Sequence, residues 1–453
     1  MAFFIVEGGS RLSGTINVTG NKNEALPVVA AALLTNKTVR LSNVPDIGDV
    51  RSMLEIAHRL GVKIAQTGPN SCEMTAASVD TSELPVELSN KIRASILFAS
   101  SLLVRTGRAV ITQPGGDDIG RRRLDTHFLV FRALGASLDI ERKVSSSNVT
   151  RETAFVLTAP KGGLKGADIY LDEPSVTATE NALIAAAGAH GKTVIANAAS
   201  EPHVQGLCRF LQSMGVTIEG VGSNLLTIHG RGDFGEAEHE IGCDYIEAGS
   251  FIGLAAVTDS DLTISGVDPS LLRMILFQFE RIGVVVETDP ALKTLRVPAN
   301  QPMKIRKDLG GAIPRIEVNP WPGFPTDLLS ILLVCATQSE GICLIHEKMF
   351  ESRLFFVDKL IGMGASIILC DPHRAVVVGK SQLYGASISS PDIRAGMALL
   401  IASLAAQGKS IINGIEQIDR GYQQIDARLS ALGAKITRNT QRRSDDAATV
   451  LIS

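Results

Sequence analysis

The sequence predicts a two-domain α/β protein built from six copies of one structural unit, three to a domain, with helices inside and sheets outside. Three observations predict it. A short tag of apolar residue, glycine and small or β-branched residue recurs six times, a largely apolar helix precedes every tag at nearly constant distance, and strand signals surround both.

The tags fall at Gly61, Gly135, Gly215, Gly283, Gly364 and Gly433, 68 to 81 residues apart. Glycine ends helices in the left-handed conformation, and the ValLysIle, ValThrIle, ValValVal and AlaLysIle that follow four of the tags suit strands. Each tag is therefore a helix-to-strand joint. The helices upstream begin near Asn23, Arg93, Ser175, Ile246, Asp327 and Arg394, which precede their glycines by 37 to 42 residues. Stretches such as NEALPVVAAALL and DLLSILLVCA are apolar nearly all round, so protein must surround them. Between the two helices of a unit lie strand signals such as KTVRLSNVP and KSIINGI. The unit reads as buried helix, strand, exposed amphipathic helix and strand, with a further strand before the next unit.

The strand pair FFIVEGG and GTINVTG precedes the first helix and is assigned to the C-terminal half. The expected domains are residues 22–243, and 1–21 together with 244–453, with linkers near residue 21 and Cys243. A length of 453 residues supports two or three domains, and 45% apolar residues give each a normal core. Lys plus Arg number 44 against 47 Asp plus Glu, a net charge of −3, so nothing pulls the whole molecule toward nucleic acid or an acidic membrane. An anionic ligand must be held by a local cluster. The six cysteines are far apart, without CxxC pairs or zinc-finger spacing, and read as reduced core thiols. The N-terminus lacks the marks of a signal peptide, and no segment approaches the ~18 apolar residues of a membrane span. A soluble, cytoplasmic protein is expected.

Four constellations carry chemistry. Gly20, Asn21, Lys22 and Asn23 open a helix, where unpaired amides and a lysine suit an anion. A solvated lysine beside an Asn cap explains that tetrapeptide equally well. The loop at 113–123 joins Pro114, Gly115 and Gly116, a mobile turn, to Asp117, Asp118 and the arginines 121 to 123. Three arginines opening a helix oppose its dipole, an arrangement that a bound phosphate would relieve. In TrpProGlyPheProThrAsp (321–327), Asp327 is either a structural helix cap or a rigidly held general base. Arg353, Arg394 and Arg420 stand at turns or helix starts in PheGluSerArg, AspIleArgAlaGly and IleAspArgGlyTyr, and together suggest one anion-binding face.

These segments, with ArgAlaSerIle at 93, ArgXaaLeuAspXaaHis at 122 and SerValXaaAlaThrGluAsn at 175, closely resemble the UDP-N-acetylglucosamine enolpyruvyl transferase family. They occur in its order over essentially the whole chain. The resemblance implies two inside-out domains closing over a cleft with the active site between them, no metal or organic cofactor, and two small-molecule substrates, phosphoenolpyruvate and a UDP-sugar. The enolpyruvyl group passes to the sugar 3-hydroxyl and phosphate leaves, the first committed step of peptidoglycan synthesis. By position, Lys22, Asn23, Arg122, Arg394 and Arg420 would hold phosphoenolpyruvate. Asn23, Arg93, Arg122, Leu124, Asp125, Ser175, Val176, Asp327 and Met349 would contact the nucleotide sugar. Asp327 would take the hydroxyl proton, with Lys22 and Arg420 also in catalytic roles.

At the tip of the loop, Asp117 replaces the cysteine that serves most of the family as general acid. An aspartate with an ordinary pKa near 3.9 is only ~0.1% protonated at neutral pH, so that role requires an upward shift, which Asp118 and a bound phosphate favour and the arginines oppose. The replacement also implies resistance to the epoxide fosfomycin, which alkylates that thiol. Arg123 stands for a usual proline and Glu173 for a frequent lysine, both beside the nucleotide. They support an alternative, a paralogue acting on another nucleotide such as UMP. Enolpyruvylshikimate-phosphate synthase ranks third, and a non-catalytic six-repeat scaffold is the reading from a different class.

Overall fold

Six helices form the interior of the protein: α1 (Lys22–Ala31), α2 (Phe98–Thr106), α3 (Val176–Ala187), α4 (Tyr245–Val257), α5 (Leu329–Gln338) and α6 (Ile393–Ala405). The computed structural model describes residues 2–117, 119–144 and 151–440, so Asp118 lies outside the described residues. Every residue of α5 is buried, as are Tyr245–Ala256 of α4 and Ile393–Leu404 of α6. Small residues let the inner helices approach one another and share hydrogen bonds. Ser101 Oγ donates to the Ala30 carbonyl at 2.6 Å and Ser100 Oγ to the Asn181 carbonyl at 2.8 Å, tying α2 to α1 and to α3.

Around these helices lie six sheets, five of four strands and one of three among the described residues. Their recurrent element is a pair of parallel strands joined across a buried helix, such as Asp168–Tyr170 with Lys192–Ala196 and Arg315–Glu317 with Gly341–His346. Antiparallel strands complete each sheet. All six tag glycines have positive φ, from 89° to 104°, and each lies just beyond an outer helix, the first being Gly48–Arg59. A strand follows directly at five of them. After Gly283 the strand begins only at Glu287, not at Val284 as the ValValVal run suggests. There the side chain of Gln301 occupies both backbone groups of Val285, at 2.7 and 3.0 Å, and takes the place of a neighbouring strand.

Two large hydrophobic cores result, one drawn from residues between Ala25 and Ile241, the other from Phe4 to Val18 and Tyr245 to Ile436. The N-terminal segment closes the second. Ala2–Glu7 inserts antiparallel between Lys409–Asn413 and Lys435–Thr440, and Ser13–Asn17 runs parallel to Asp261–Ser265. The chain crosses between the cores twice, and the crossings run side by side: Gly20 bridges Cys243, and the Asn21 amide donates to the Gly242 carbonyl at 2.7 Å. No helix among the described residues is long and apolar enough to cross a membrane.

Candidate active site

Inner helices of both bodies, all but α6, start on or beside a shared cavity of about 640 Å³. On the first side Asn21 caps α1, its side chain accepting from the Glu24 amide at 3.2 Å, which fixes Lys22 and Asn23 at the mouth. Lys22 Nζ meets Asp49 Oδ2 at 3.1 Å, and the other oxygen of Asp49 receives Arg420 Nε at 2.8 Å from the second body. Arg420 Nη1 also donates to Asp117 Oδ1 at 2.6 Å, so the loop tip lies against the second body. Asp49 is only 4% exposed. Burial alone would raise its carboxyl, but Lys22 and Arg420 outweigh that and hold it below the ordinary range.

On the opposite side stands Asp327, which is no cap. It lies in a short 3-10 turn, Thr326–Leu328, ahead of α5, and the turn has no side-chain cap. One oxygen accepts from Arg353 Nη2 at 2.7 Å and the other from Arg394 Nε at 3.2 Å. Burial pushes its carboxyl up, yet Arg394 and then Arg353 and Lys22 keep it well below the usual carboxylate range. True capping occurs at α4 and α6, where Asp244 and Asp392 accept the first free amides. The arginines of the loop likewise stand before their helix, which starts at Asp125 with Leu124 as its cap residue. They therefore do not open the helix itself, as the sequence suggests, but precede its cap.

Lys22, Asn23, Arg93, Asp117, Arg122, Ser175, Val176, Asp327, Met349 and Arg420 all line the cavity. Arg394 does not. It is 2% exposed, behind Asp327, with Nη1 donating to the Tyr422 hydroxyl at 3.3 Å. Leu124 packs into the first core and Asp125 is exposed beside Arg123, so neither side chain lines the cavity. Arg93 supports the loop from below, donating to the carbonyls of Arg122 at 3.0 Å and Arg123 at 2.6 Å, and burial with the nearby Arg122 charge brings it down to about 10. His127 joins the two segments expected at the nucleotide, accepting from Asn181 at 2.8 Å and meeting Thr177 Oγ1 at 3.3 Å; burial, then Arg93 and Arg122, lower it to about 3, so it is neutral. Arg123 is compensated by Asp172 at 3.0 Å and Asp125 at 3.3 Å.

Two residues stand out beyond those assigned to a substrate from the sequence. Asp49 carried no signal beyond an acidic residue in the first turn of an amphipathic helix. Arg353, which the sequence places on an anion-binding face without a ligand of its own, is 4% exposed and lines the cavity, with Nε and Nη1 making no hydrogen bond. Its Nη1 lies 3.7 Å from Asp392 Oδ1, so its charge is shared between Asp327 and Asp392. No cysteine is among the lining residues. The arrangement suits a small polyanion gripped between two bodies, with one carboxylate on a loop and another fixed by arginines.

The model of the EPSP synthase (3-phosphoshikimate 1-carboxyvinyltransferase) family matches residues 6–429. A UDP-N-acetylglucosamine 1-carboxyvinyltransferase of Bradyrhizobium diazoefficiens is 53% identical, over 97% of this chain and 99% of the relative. Enzymes of that name from Treponema denticola, 52% identical over 96% and 98%, and Bacteroides fragilis, 47% over 97% and 100%, are similar throughout. Among solved structures, the enolpyruvyl transferase NikO from Streptomyces tendae superposes with a TM-score of 0.83 at 24% identity, covering 97% of this chain and 99% of its own. EPSP synthase from Acinetobacter baumannii gives 0.71 at 18%, covering 97% and 100%. Both carry the inside-out two-domain fold.

Proposed function

The chain belongs to the EPSP synthase family of 1-carboxyvinyltransferases, and from that membership and its site we infer that it transfers the enolpyruvyl group of phosphoenolpyruvate to the 3-hydroxyl of UDP-N-acetylglucosamine, releasing phosphate, in the synthesis of peptidoglycan. The observation that carries the reading is the meeting of Lys22, Arg122, Arg353 and Arg420 with Asp117 and Asp327 around one cavity. It has the charge for a phosphorylated carboxylic acid and two carboxylates for proton transfer.

Lys22, Arg122 and Arg420 take the phosphate, with Asn23 beside them; Arg353 lines the cavity on the side of the donor carboxylate, and Arg394 acts from behind by holding Asp327. Asp117 gives a proton to C3 of the enol ether while positive character builds at C2. Asp327 takes the proton of the acceptor hydroxyl as its oxygen attacks C2. The Asp117 carboxylate then takes a proton back from the new methyl group as phosphate leaves the tetrahedral adduct, which restores the double bond. The cations are preorganised for the charge on the leaving phosphate, where such stabilisation is most effective. Because Arg420 holds Asp117 until an anion arrives, phosphate binding competes for that guanidinium, and the negative charge of the phosphate beside the released carboxyl favours the protonated form that the acid role needs. The chemistry needs an acid, a base and an anion clamp, and no metal or organic cofactor.

Arg93, Arg122, Ser175, Val176 and Met349 are assigned to the nucleotide sugar, with Leu124 and Asp125 contributing through the segment they anchor. The UMP alternative, which rested on Arg123 and Glu173, is not favoured. Relatives 47–53% identical share the UDP-N-acetylglucosamine name, and Arg123 is neutralised within its own neighbourhood. Six unpaired cysteines suit a reducing, cytoplasmic setting, and the small net charge fits small-molecule partners better than nucleic acid or membrane. The test is phosphate release from phosphoenolpyruvate with a panel of acceptors. Release with UDP-N-acetylglucosamine and not with UMP or shikimate 3-phosphate is expected; release with UMP alone, or with none, overturns the assignment.

A further inference from the structure

We propose that Glu351 is a positioning residue, a latch that fastens the loop carrying Asp117 to the second body and couples its closure to Arg353. Glu351 Oε1 accepts the backbone amide of Arg121 at 3.0 Å, and the next amide, that of Ser352, donates to the Ile119 carbonyl at 3.1 Å. Two bonds of opposite sense thus join residues 119–121 to 351–352. Between them Gly120 has φ +118°, and a Cβ there would stand 2.6 Å from Glu351 Oε2, so the carboxylate seats against a bare α-carbon.

The far side of the same turn reaches the chemistry. Glu347, fully buried, accepts from the amides of Met349 at 2.8 Å and Phe350 at 3.2 Å and from Thr326 Oγ1 at 2.6 Å, which makes residues 347–350 rigid and ties them to the neighbour of Asp327. Two residues beyond Glu351, Arg353 grips Asp327 at 2.7 Å. Three residues before Gly120, Asp117 meets Arg420 at 2.6 Å. A closed loop therefore sets the acid side and the base side of the site through one turn, and Glu351 itself is exposed outside the cavity lining.

The kinetic half of this proposal rests on the enolpyruvyl-transfer reading; the structural half does not, and the experiment separates them. Trypsin cleavage at arginines 121 to 123 is measured in the free protein, beside steady-state kinetics and melting, for wild type, Glu351→Ala and Glu351→Gln. Glu351→Ala is expected to be cut about tenfold faster and to lose about tenfold in kcat, with the KM for UDP-N-acetylglucosamine within about twofold and melting unchanged, because a loop equilibrium and no ligand contact is altered. Glu351→Gln, whose amide oxygen still accepts the Arg121 amide, should stay within about threefold of wild type on both readouts. Faster cleavage without loss of kcat, or loss of kcat without faster cleavage, refutes the coupling, and wild-type behaviour of Glu351→Ala refutes the latch. If wild type shows no turnover while cleavage responds as stated, the reaction assignment falls and the latch stands.

Discussion

Asp49 is where the account is most exposed to a quantitative test, through its replacement by asparagine. Its carboxylate lies between Lys22 Nζ at 3.1 Å and Arg420 Nε at 2.8 Å, with side-chain exposures of 6%, 10% and 19% for Asp49, Lys22 and Arg420. Breaking a fully buried pair by removing one partner costs ~3–5 kcal/mol, and because both cations open on the cavity a value just below that range, about 2–3 kcal/mol, applies here. At ~2–4 °C per kcal/mol for a domain of about 200 residues, Asp49→Asn should melt about 5–10 °C lower at pH 7. The sign with pH follows from the depressed folded-state pKa of Asp49, since burial raises the group but Lys22 and Arg420 lower it further. A group of that kind contributes fully above its unfolded value near ~3.9 and loses its contribution as pH falls through the folded value. The difference between wild type and variant should thus be flat from about pH 5 to 8 and shrink below about pH 4. Inorganic phosphate should narrow it at pH 7 by standing in for the missing carboxylate. A difference below about 1 °C at pH 7, or phosphate that stabilises the wild type more than the variant, would refute the bridging role.

Other consequences follow from the same geometry. Asp327→Asn should lower kcat by about 10²–10⁴-fold with little change in KM, since it removes a base and spares the anion clamp; retained turnover would reassign the base. Arg353→Ala should raise the KM for phosphoenolpyruvate at least about tenfold, because it removes a cation from the cavity lining beside Asp327; an unchanged KM in steady-state assays would leave Arg353 a structural partner of Asp327. With no cysteine lining the cavity, fosfomycin should leave the wild type active and inactivate Asp117→Cys over time, as followed by residual activity.

Much of the fold was legible because one local rule repeats. A glycine with positive φ ends an outer helix at all six tags, and composition alone marks α4, α5 and α6 as helices enclosed by protein. Where reading failed, a distant side chain had taken over a local role. Gln301 replaces a strand at Val285, and Arg353 and Arg394 draw Asp327 away from the cap that its position ahead of α5 suggests. The site was legible in its cations, which stand at helix starts and turns, and less so in their counter-charges. Asp49 is 371 residues from Arg420 and sits in a stretch that reads as any amphipathic helix, so its bridge exists only in the folded chain. For the same reason, charge at Arg123 looked like a change of substrate until Asp172 and Asp125 proved to be its partners.

The central claim, enolpyruvyl transfer to a nucleotide sugar by acid and base carboxylates around one anion clamp, is tested most directly by following phosphorus and proton NMR of the protein with phosphoenolpyruvate and UDP-N-acetylglucosamine. The account predicts one inorganic phosphate for each enol ether formed at the sugar 3-position, with both signals lost together in Asp327→Asn. Phosphate released without the ether, or an ether that still forms at the wild-type rate in Asp327→Asn, would contradict it.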